Sequence, residues 1–164
     1  IVKSLKDNNN IYLVPAFTGL GAPYWDANAR GVLSGITRDT SPKEIVRATI
    51  EAVAYQTYDL FEAMKHDGLR PKIVKVDGGM VMNNWFSQFL SDIVNVKVLR
   101  PKVQETTALG AAFMAGLQIG VYKSLKDISK NWHLDKKFSP KMNNPLRNKL
   151  LKGWSAAIKK TLSN

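Results

Sequence analysis

A glycine pair between a predicted strand and a predicted helix is the clearest chemical signal in the chain. Asp77, Gly78 and Gly79 follow an apolar run that ends at Val76, and Asn83 precedes the next helical segment. Glycines at such a turn let a ligand approach the backbone because no Cβ stands in the way, and either glycine can adopt a positive φ. The helix that follows offers unpaired N–H groups and the positive end of its dipole. Asn83 adds an amide that can both donate and accept, as recognition of a purine edge requires.

Taken alone, a glycine pair is more often plain turn chemistry than a ligand site, and the sequence disfavours several other kinds of site. The spacings G-x-G-x-x-G and G-x-x-x-x-G-K-[ST] are absent, which argues against dinucleotide and P-loop enzymes. A serine hydrolase elbow is also absent, because Leu33 stands where that motif requires serine. His66 and His133 lie far apart without carboxylates at metal-ligand spacing, so surface or core roles are favoured over zinc.

Acidic side chains could activate a hydroxyl or hold magnesium. The candidates are Asp26, Asp39, Glu51, Asp59, Asp77, Asp92 and Glu105. The sequence does not pair them with one another. Glu51 and Asp59 lie on a predicted long helix, where we expect solvated or capping charges. For Asp77, a turn-capping role and a metal role both stay open.

Composition predicts an ordinary globular unit. The chain has 164 residues, of which 45% are hydrophobic, and this is enough for one core. It contains no cysteine, which excludes disulfides and thiolate metal sites and favours the cytoplasm. No apolar run reaches the roughly 18 to 20 residues of a membrane span. Because Ile1 is not preceded by a methionine or a leader pattern, we expect the chain to continue a longer polypeptide.

The net charge of +11 raises nucleic acid as a partner. The basic residues are spread along the chain and are densest towards its C-terminus, without an RNA-binding or helix-turn-helix signature. A solvated basic surface is therefore favoured over a nucleic-acid partner.

Apolar periodicity and turn residues predict alternating strands and helices, the pattern of an α/β layered domain. Strands are predicted at residues 11–16, 31–37, 72–76 and 96–99. Helices are predicted at residues 43–64, 85–94, 108–120, 124–128 and 145–162, the last of these being a basic terminal helix. Thr40, Ser41 and Pro42 provide the start signal of the longest helix, and residues 131–144 are predicted to be irregular.

Separated stretches of the chain resemble signatures of the FGGY carbohydrate kinases. Residues 31–36 (GVLSGI), followed after seven residues by 44–51 (EIVRATIE), are similar to the second signature of that family. Residues 75–79 (KVDGG) with the asparagine pair at 83–84 resemble its adenosine-binding turn. Residues 105–112 (ETTALGAA) resemble its small-residue helix near the nucleotide.

The resemblance implies an actin-like ATPase fold of two ribonuclease-H-like domains, with ATP in the cleft between them. Residues 1–164 would then be a C-terminal, nucleotide-side domain segment that is incomplete at its N-terminus. The resemblance carries nucleotide contacts onto Gly79 and Asn83, with Gly78 completing the turn. It also implies that the catalytic aspartate, the substrate-binding side chains, the phosphate-binding hairpins and most of the magnesium site lie upstream of Ile1.

One stretch bears on the substrate. Residues 15–26 (PAFTGLGAPYWD) resemble the branch of the family that phosphorylates glycerol, whereas xylulose-specific members tend to carry a Gly-Glu-Arg version here. The resemblance thus implies glycerol and ATP as substrates, Mg²⁺ as cofactor, and a homodimer or homotetramer. A kinase for another polyol or ketose, and a non-catalytic nucleotide-binding module, are the alternatives.

Overall fold

The computed structural model describes residues 4–5 and 7–163, and in this part of the chain strands and helices alternate. The strands are β1 (Tyr12–Val14), β2 (Val32–Ser34), β3 (Ile73–Lys75), β4 (Lys97–Pro101) and β5 (Leu134–Phe138). The α-helices are α1 (Pro42–His66), α2 (Asn84–Val94), α3 (Thr106–Gln118), α4 (Leu125–Ser129) and α5 (Asn144–Thr161). A short 3₁₀ segment, Gly79–Met82, joins β3 to α2.

The strands form two small sheets. β1 and β2 pair antiparallel, with Leu13 opposite Leu33. In the second sheet β3 runs parallel to β4, and β4 pairs antiparallel with β5 so that Val98 lies opposite Phe138. Because β3 and β4 are parallel and α2 connects them, the turn after β3 lies at the carboxyl edge of the sheet, where open α/β sheets bind ligands.

Helix α1 begins where the sequence predicts. Ser41 caps the helix by accepting a hydrogen bond from the Lys43 N–H at 3.3 Å, and the Glu44 carboxylate accepts from the Ser41 N–H at 3.0 Å. Together with Pro42 in the first turn, this is a capping box that satisfies orphan donors at the helix end. The helix then packs along α2 and against β1.

Four aromatic side chains from separate elements form the centre of the core. Tyr55 of α1 is 1% exposed, and its ring stacks on Trp154 of α5 at a centroid distance of 5.2 Å. Phe89 of α2 meets the same ring edge-on at 5.6 Å, and Tyr12 of β1 lies 5.8 Å away. Aromatic pairs at these separations add to the free energy of apolar burial, so this cluster joins the terminal helix to the first strand.

One predicted segment is wrong. Residues 131–144 were expected to be irregular, but they contain strand β5. Four of its five side chains are exposed and only Phe138 is buried, so the strand lacks the alternation of apolar and polar residues that periodicity detects. Strand β5 joins the sheet through main-chain hydrogen bonds to β4, and such pairing does not require any particular side chains.

Candidate functional site

The turn after β3 has an open face. Gly78 adopts φ 83°, in the left-handed region that favours glycine, whereas Gly79 begins the 3₁₀ segment without a positive φ. A Cβ added at either glycine would have no atom within 4 Å. The Gly79 N–H has no hydrogen bond within the described part of the chain. The structure therefore places the strained position at Gly78 and leaves space in front of both glycines.

Asn83 lies at the end of this turn and caps α2. Its Oδ1 accepts hydrogen bonds from the N–H groups of Trp85 at 3.0 Å and Phe86 at 3.3 Å. Such a cap satisfies two of the helix's unpaired donors. Among the described residues, no hydrogen bond is formed by Nδ2 of the same amide. The oxygen is thus committed to the helix, while the amino group is available to a ligand.

The turn is fastened to the beginning of α3. The Thr106 hydroxyl donates a hydrogen bond to the Asp77 carboxylate, and the Gly78 N–H donates to the Gln104 carbonyl at 3.2 Å. Asp77 therefore bonds to a hydroxyl across the turn. Among the described residues, no group of three or more His, Cys, Asp or Glu side chains could hold a metal ion.

A separate cavity of about 310 Å³ lies on the α3 side of the sheet. Phe113 and Trp132 contribute apolar lining, and the Lys75 ammonium lies 4.2 Å from the centroid of the Trp132 ring. His133 and Thr106 also line it. None of the three predicted nucleotide residues does. Thr106, which lines the cavity, also donates to Asp77, so the cavity adjoins the glycine turn.

Glu51 is not the solvated or capping charge that its helical position predicted. It is fully buried, with its Oε1 accepting from Arg47 Nε at 2.7 Å. Its Oε2 accepts from the Tyr55 hydroxyl and from Asn8 Nδ2, each at 3.1 Å. Burial raises the pKa of Glu51, although the Arg47 guanidinium and these hydrogen bonds act in the opposite direction. The carboxylate organises the interior and has no open path to a ligand in this arrangement.

Asp59 was likewise expected in solvent and is instead buried. Its Oδ2 accepts a hydrogen bond from Trp154 Nε1 at 2.8 Å. Burial raises the pKa of Asp59, and the hydrogen bonds from Trp154 and Tyr24 oppose that shift. Both acids lie on α1, where the local sequence shows only helical spacing. Each is buried with the help of a residue from a distant part of the chain, Asn8 for Glu51 and Trp154 for Asp59.

Asp26 and Asp92 are engaged away from the glycine turn, whereas Glu105 lies between Gln104 and Thr106, both of which bond to that turn. Asp26 accepts hydrogen bonds from the Ser163 N–H at 2.7 Å and from the Asn28 and Ala29 N–H groups at 3.0 Å. The first of these does most to lower the pKa of Asp26. Asp92 accepts from the Lys141 N–H at 2.6 Å. Both carboxylates fasten loops to helices.

Sequence reasoning missed one residue of the turn's surroundings. Arg100 lies on β4, is 6% exposed, and donates from its guanidinium to main-chain carbonyls of the 3₁₀ segment. Because β4 carries Lys97 as well as Arg100, and the predicted strand ended at residue 99, no local charge pattern marked Arg100 as a buried, paired side chain. No helix among the described residues is long and apolar enough to cross a membrane.

Comparison with known sequences supports the resemblance. A profile of the C-terminal domain of the FGGY family of carbohydrate kinases matches residues 3–119. Glycerol kinase 1 of Pseudomonas aeruginosa is 56% identical over 157 residues, which is 96% of this chain and 32% of that protein. Glycerol kinase of Thermoanaerobacter pseudethanolicus is 52% identical over 159 residues, again 96% of this chain and 32% of the relative. The chain thus spans about a third of the length of the curated relatives it matches.

Solved structures agree with the fold. Glycerol kinase of Plasmodium falciparum with ADP superposes with a TM-score of 0.85 at 36% identity, covering 99% of this chain and 33% of that one. A ligand-bound xylulose kinase of Lactobacillus acidophilus superposes with a TM-score of 0.77 at 27% identity, covering 97% and 32%. These matches confirm the predicted α/β fold of the actin-like ATPase class, here as part of a C-terminal domain.

Proposed function

Because the chain belongs to the FGGY family of carbohydrate kinases, we propose that it is the nucleotide-side part of an enzyme that phosphorylates glycerol with ATP. The observation that carries the proposal is the 56% identity to a glycerol kinase across nearly the whole chain. The superposed xylulose kinase of Lactobacillus acidophilus has 27% identity, so glycerol is favoured over a ketose. A kinase for another polyol stays the second candidate.

We place the nucleotide at the turn formed by residues 77–83, which we call the glycine corner. Gly78 and Gly79 leave the backbone open, and the Gly79 N–H can donate to a phosphate oxygen. Asn83 can donate from Nδ2 to a ring nitrogen of the adenine while its oxygen keeps α2 capped. Met80 and Met82, which are 46% and 52% exposed, flank the corner and offer apolar surface to a planar base.

This part of the enzyme supplies orientation. Phosphoryl transfer depends mainly on positioning and on neutralising charge, so a domain that holds the adenosine end contributes by fixing the direction of the phosphate chain. Mg²⁺ would neutralise phosphate charge during transfer. As the family resemblance implies, we assign most of the magnesium site, the catalytic aspartate and the glycerol site to the remainder of the enzyme. We further propose a cytoplasmic homodimer or homotetramer, as the family resemblance implies.

The test is Asn83→Ala in the complete enzyme, with Asn143→Ala as the matched control. Asn143 caps α5 in the same way, accepting from the Leu146 N–H at 3.0 Å, so both variants lose a cap that stabilises by about 0.5–2 kcal/mol. We expect Asn83→Ala to raise the KM for ATP more than the KM for glycerol, and Asn143→Ala to leave the KM for ATP unchanged. Equal behaviour of the two variants would mean that Asn83 is only a helix cap.

A second experiment separates an enzyme from a binding module. The 164-residue chain on its own should show no glycerol-dependent ATP turnover, because half of a cleft cannot close on a substrate. Formation of glycerol 3-phosphate by the purified chain would contradict this division of labour. Absence of glycerol kinase activity from the complete protein, with ATP still bound, would favour the non-catalytic module.

A further inference from the structure

A buried arginine, Arg100, contacts the inner side of the glycine corner. Arg100 lies on β4, and its Nη1 donates to the carbonyl of Val81 at 2.8 Å and to that of Met82 at 3.2 Å. These carbonyls belong to the last two residues of the 3₁₀ segment, directly before Asn83. The Ser87 hydroxyl, which is fully buried, donates to the Val81 carbonyl as well at 2.8 Å. The inner side of the turn is therefore fixed by side chains from two other elements.

The guanidinium is itself held in one orientation. Its Nε and Nη2 each lie 2.7 Å from Oδ2 of Asp135 on β5, and its Cζ lies 5.6 Å from the centroid of the Phe138 ring. A guanidinium can donate to a carboxylate on one edge and to carbonyls on another because its donors are spread around a rigid plane. An ammonium group at the same place could not satisfy both partners in this geometry.

We infer that Arg100 is a positioning residue for nucleotide binding: it holds the 3₁₀ segment so that the Gly79 main-chain N–H and the Asn83 side-chain Nδ2 can both donate to ATP. The inference rests on the proposed function of this corner. Gly78, with its positive φ, and Asn83 mark the two ends of the turn, and neither Val81 nor Met82 has a side chain that could orient its own carbonyl. Donors on β4 and α2 supply that constraint.

The decisive experiment compares arginine-to-lysine variants in the complete enzyme. Arg100→Lys keeps the charge but loses the planar set of donors, and we expect it to raise the KM for ATP by about tenfold, the lower end of what the loss of one charge-assisted hydrogen bond costs. The KM for glycerol should stay unchanged. Arg147→Lys is the matched control, because Arg147 also donates from Nε to a main-chain carbonyl, that of Ile93 at 2.9 Å, and stacks on the Tyr58 ring. It should move neither constant.

Asp135→Asn provides a second route to the same answer. The side chain of Asp135 is 39% exposed, so the substitution spares the interior while weakening the contact that orients Arg100. We expect a smaller rise in the KM for ATP, with the KM for glycerol unchanged. If Arg100→Lys fails to fold, this variant decides the question.

Two results would overturn the inference. The first is an unchanged KM for ATP in Arg100→Lys or, where that variant does not fold, in Asp135→Asn. The second is an equal rise of both Michaelis constants, which indicates general loosening of the domain. When Asn83→Ala raises the KM for ATP and the Arg100 variant does not, the positioning role fails while the proposed site stands. When neither raises it, the proposed site fails as well.

Discussion

Removing the buried carboxylate of Glu51 should be among the most destabilising single changes in this domain. The carboxylate accepts one hydrogen bond from Arg47 at 2.7 Å and two more, from Tyr55 and Asn8, at 3.1 Å. Breaking a buried ion pair from one side costs about 3–5 kcal/mol, because the partner charge is left uncompensated. Glu51→Leu also leaves the buried Tyr55 hydroxyl without its acceptor and Asn8 Nδ2 with only the Ile11 carbonyl at 3.3 Å.

Two features reduce the stability that Glu51→Leu is expected to lose. Arg47 keeps a hydrogen bond to the Leu5 carbonyl at 2.7 Å and its contact with the Trp85 ring at 5.1 Å. The new leucine also contributes apolar burial. We therefore expect Glu51→Leu to lower the free energy of unfolding by about 3 kcal/mol, the lower end of the range for such pairs.

Urea unfolding of the 164-residue chain, followed by tryptophan fluorescence, measures this directly. A loss of about 3 kcal/mol lowers the urea midpoint by about 1–2 M for a domain of this size. Glu62→Gln on the same helix is the control, since Glu62 pairs with Lys65 at the surface and such pairs contribute about 1 kcal/mol or less.

A double variant tests the reasoning itself. Arg47→Met combined with Glu51→Leu removes both charges, so it should be more stable than Glu51→Leu alone. If Glu51→Leu is as stable as Glu62→Gln, or if the double variant is less stable than Glu51→Leu, an unpaired Arg47 is not what destabilises the Glu51→Leu core.

Three further outcomes follow from the structure. Gly153→Ala should destabilise the chain, because its Cβ would lie 2.2 Å from the Tyr12 hydroxyl oxygen. Gly110→Ala should stabilise it by about 0.5–1 kcal/mol, because Gly110 is in a helix and its Cβ would meet no other atom. The urea midpoints of the two variants measure both effects. Gly78→Ala should cost about 1–2 kcal/mol through its positive φ, measured in the same way, and a neutral effect would mean the turn can relax. Burial raises the pKa of Asp59 in the folded state above its value in the unfolded chain. The protonated carboxyl therefore gives its full contribution to stability below the unfolded-state pKa, and this contribution is lost as pH rises through the folded-state pKa. The stability of wild type relative to Asp59→Asn should thus fall as pH rises above about 4, the ordinary pKa of an aspartate, and a pH-independent difference would contradict the assignment.

The sequence predicts elements well where the signal is local. The capping residues Ser41 and Glu44, three positions apart, mark the start of α1, and Asn83 marks the start of α2. Such starts can be predicted because a helix cap depends only on neighbouring residues. Strand β5 leaves no such signal, since an exposed edge strand needs only main-chain pairing with β4. The terminal helix is observed at Asn144–Thr161, where the sequence predicted 145–162.

The site could be predicted only in outline. The glycine pair indicates an open corner, but the sequence cannot say that Gly78 rather than Gly79 takes the positive φ. Arg100 contacts the turn across 19 positions of sequence, and no pattern within one strand indicates such a partner. Glu51 follows Arg47 at helical ion-pair spacing, yet only the packing of distant elements makes that pair a buried one.

The terminal helix has a consequence for how the domain comes into being. Trp154 contacts Asp59 across 95 positions, and Ser163 contacts Asp26 across 137. Contacts of such sequence separation form late, because the intervening chain must be ordered first. During synthesis, the face of the Tyr55 ring that stacks on Trp154 therefore stays uncovered until α5 has emerged from the ribosome. Over that interval the nascent polypeptide exposes apolar surface, and it is then that chaperones have most to protect.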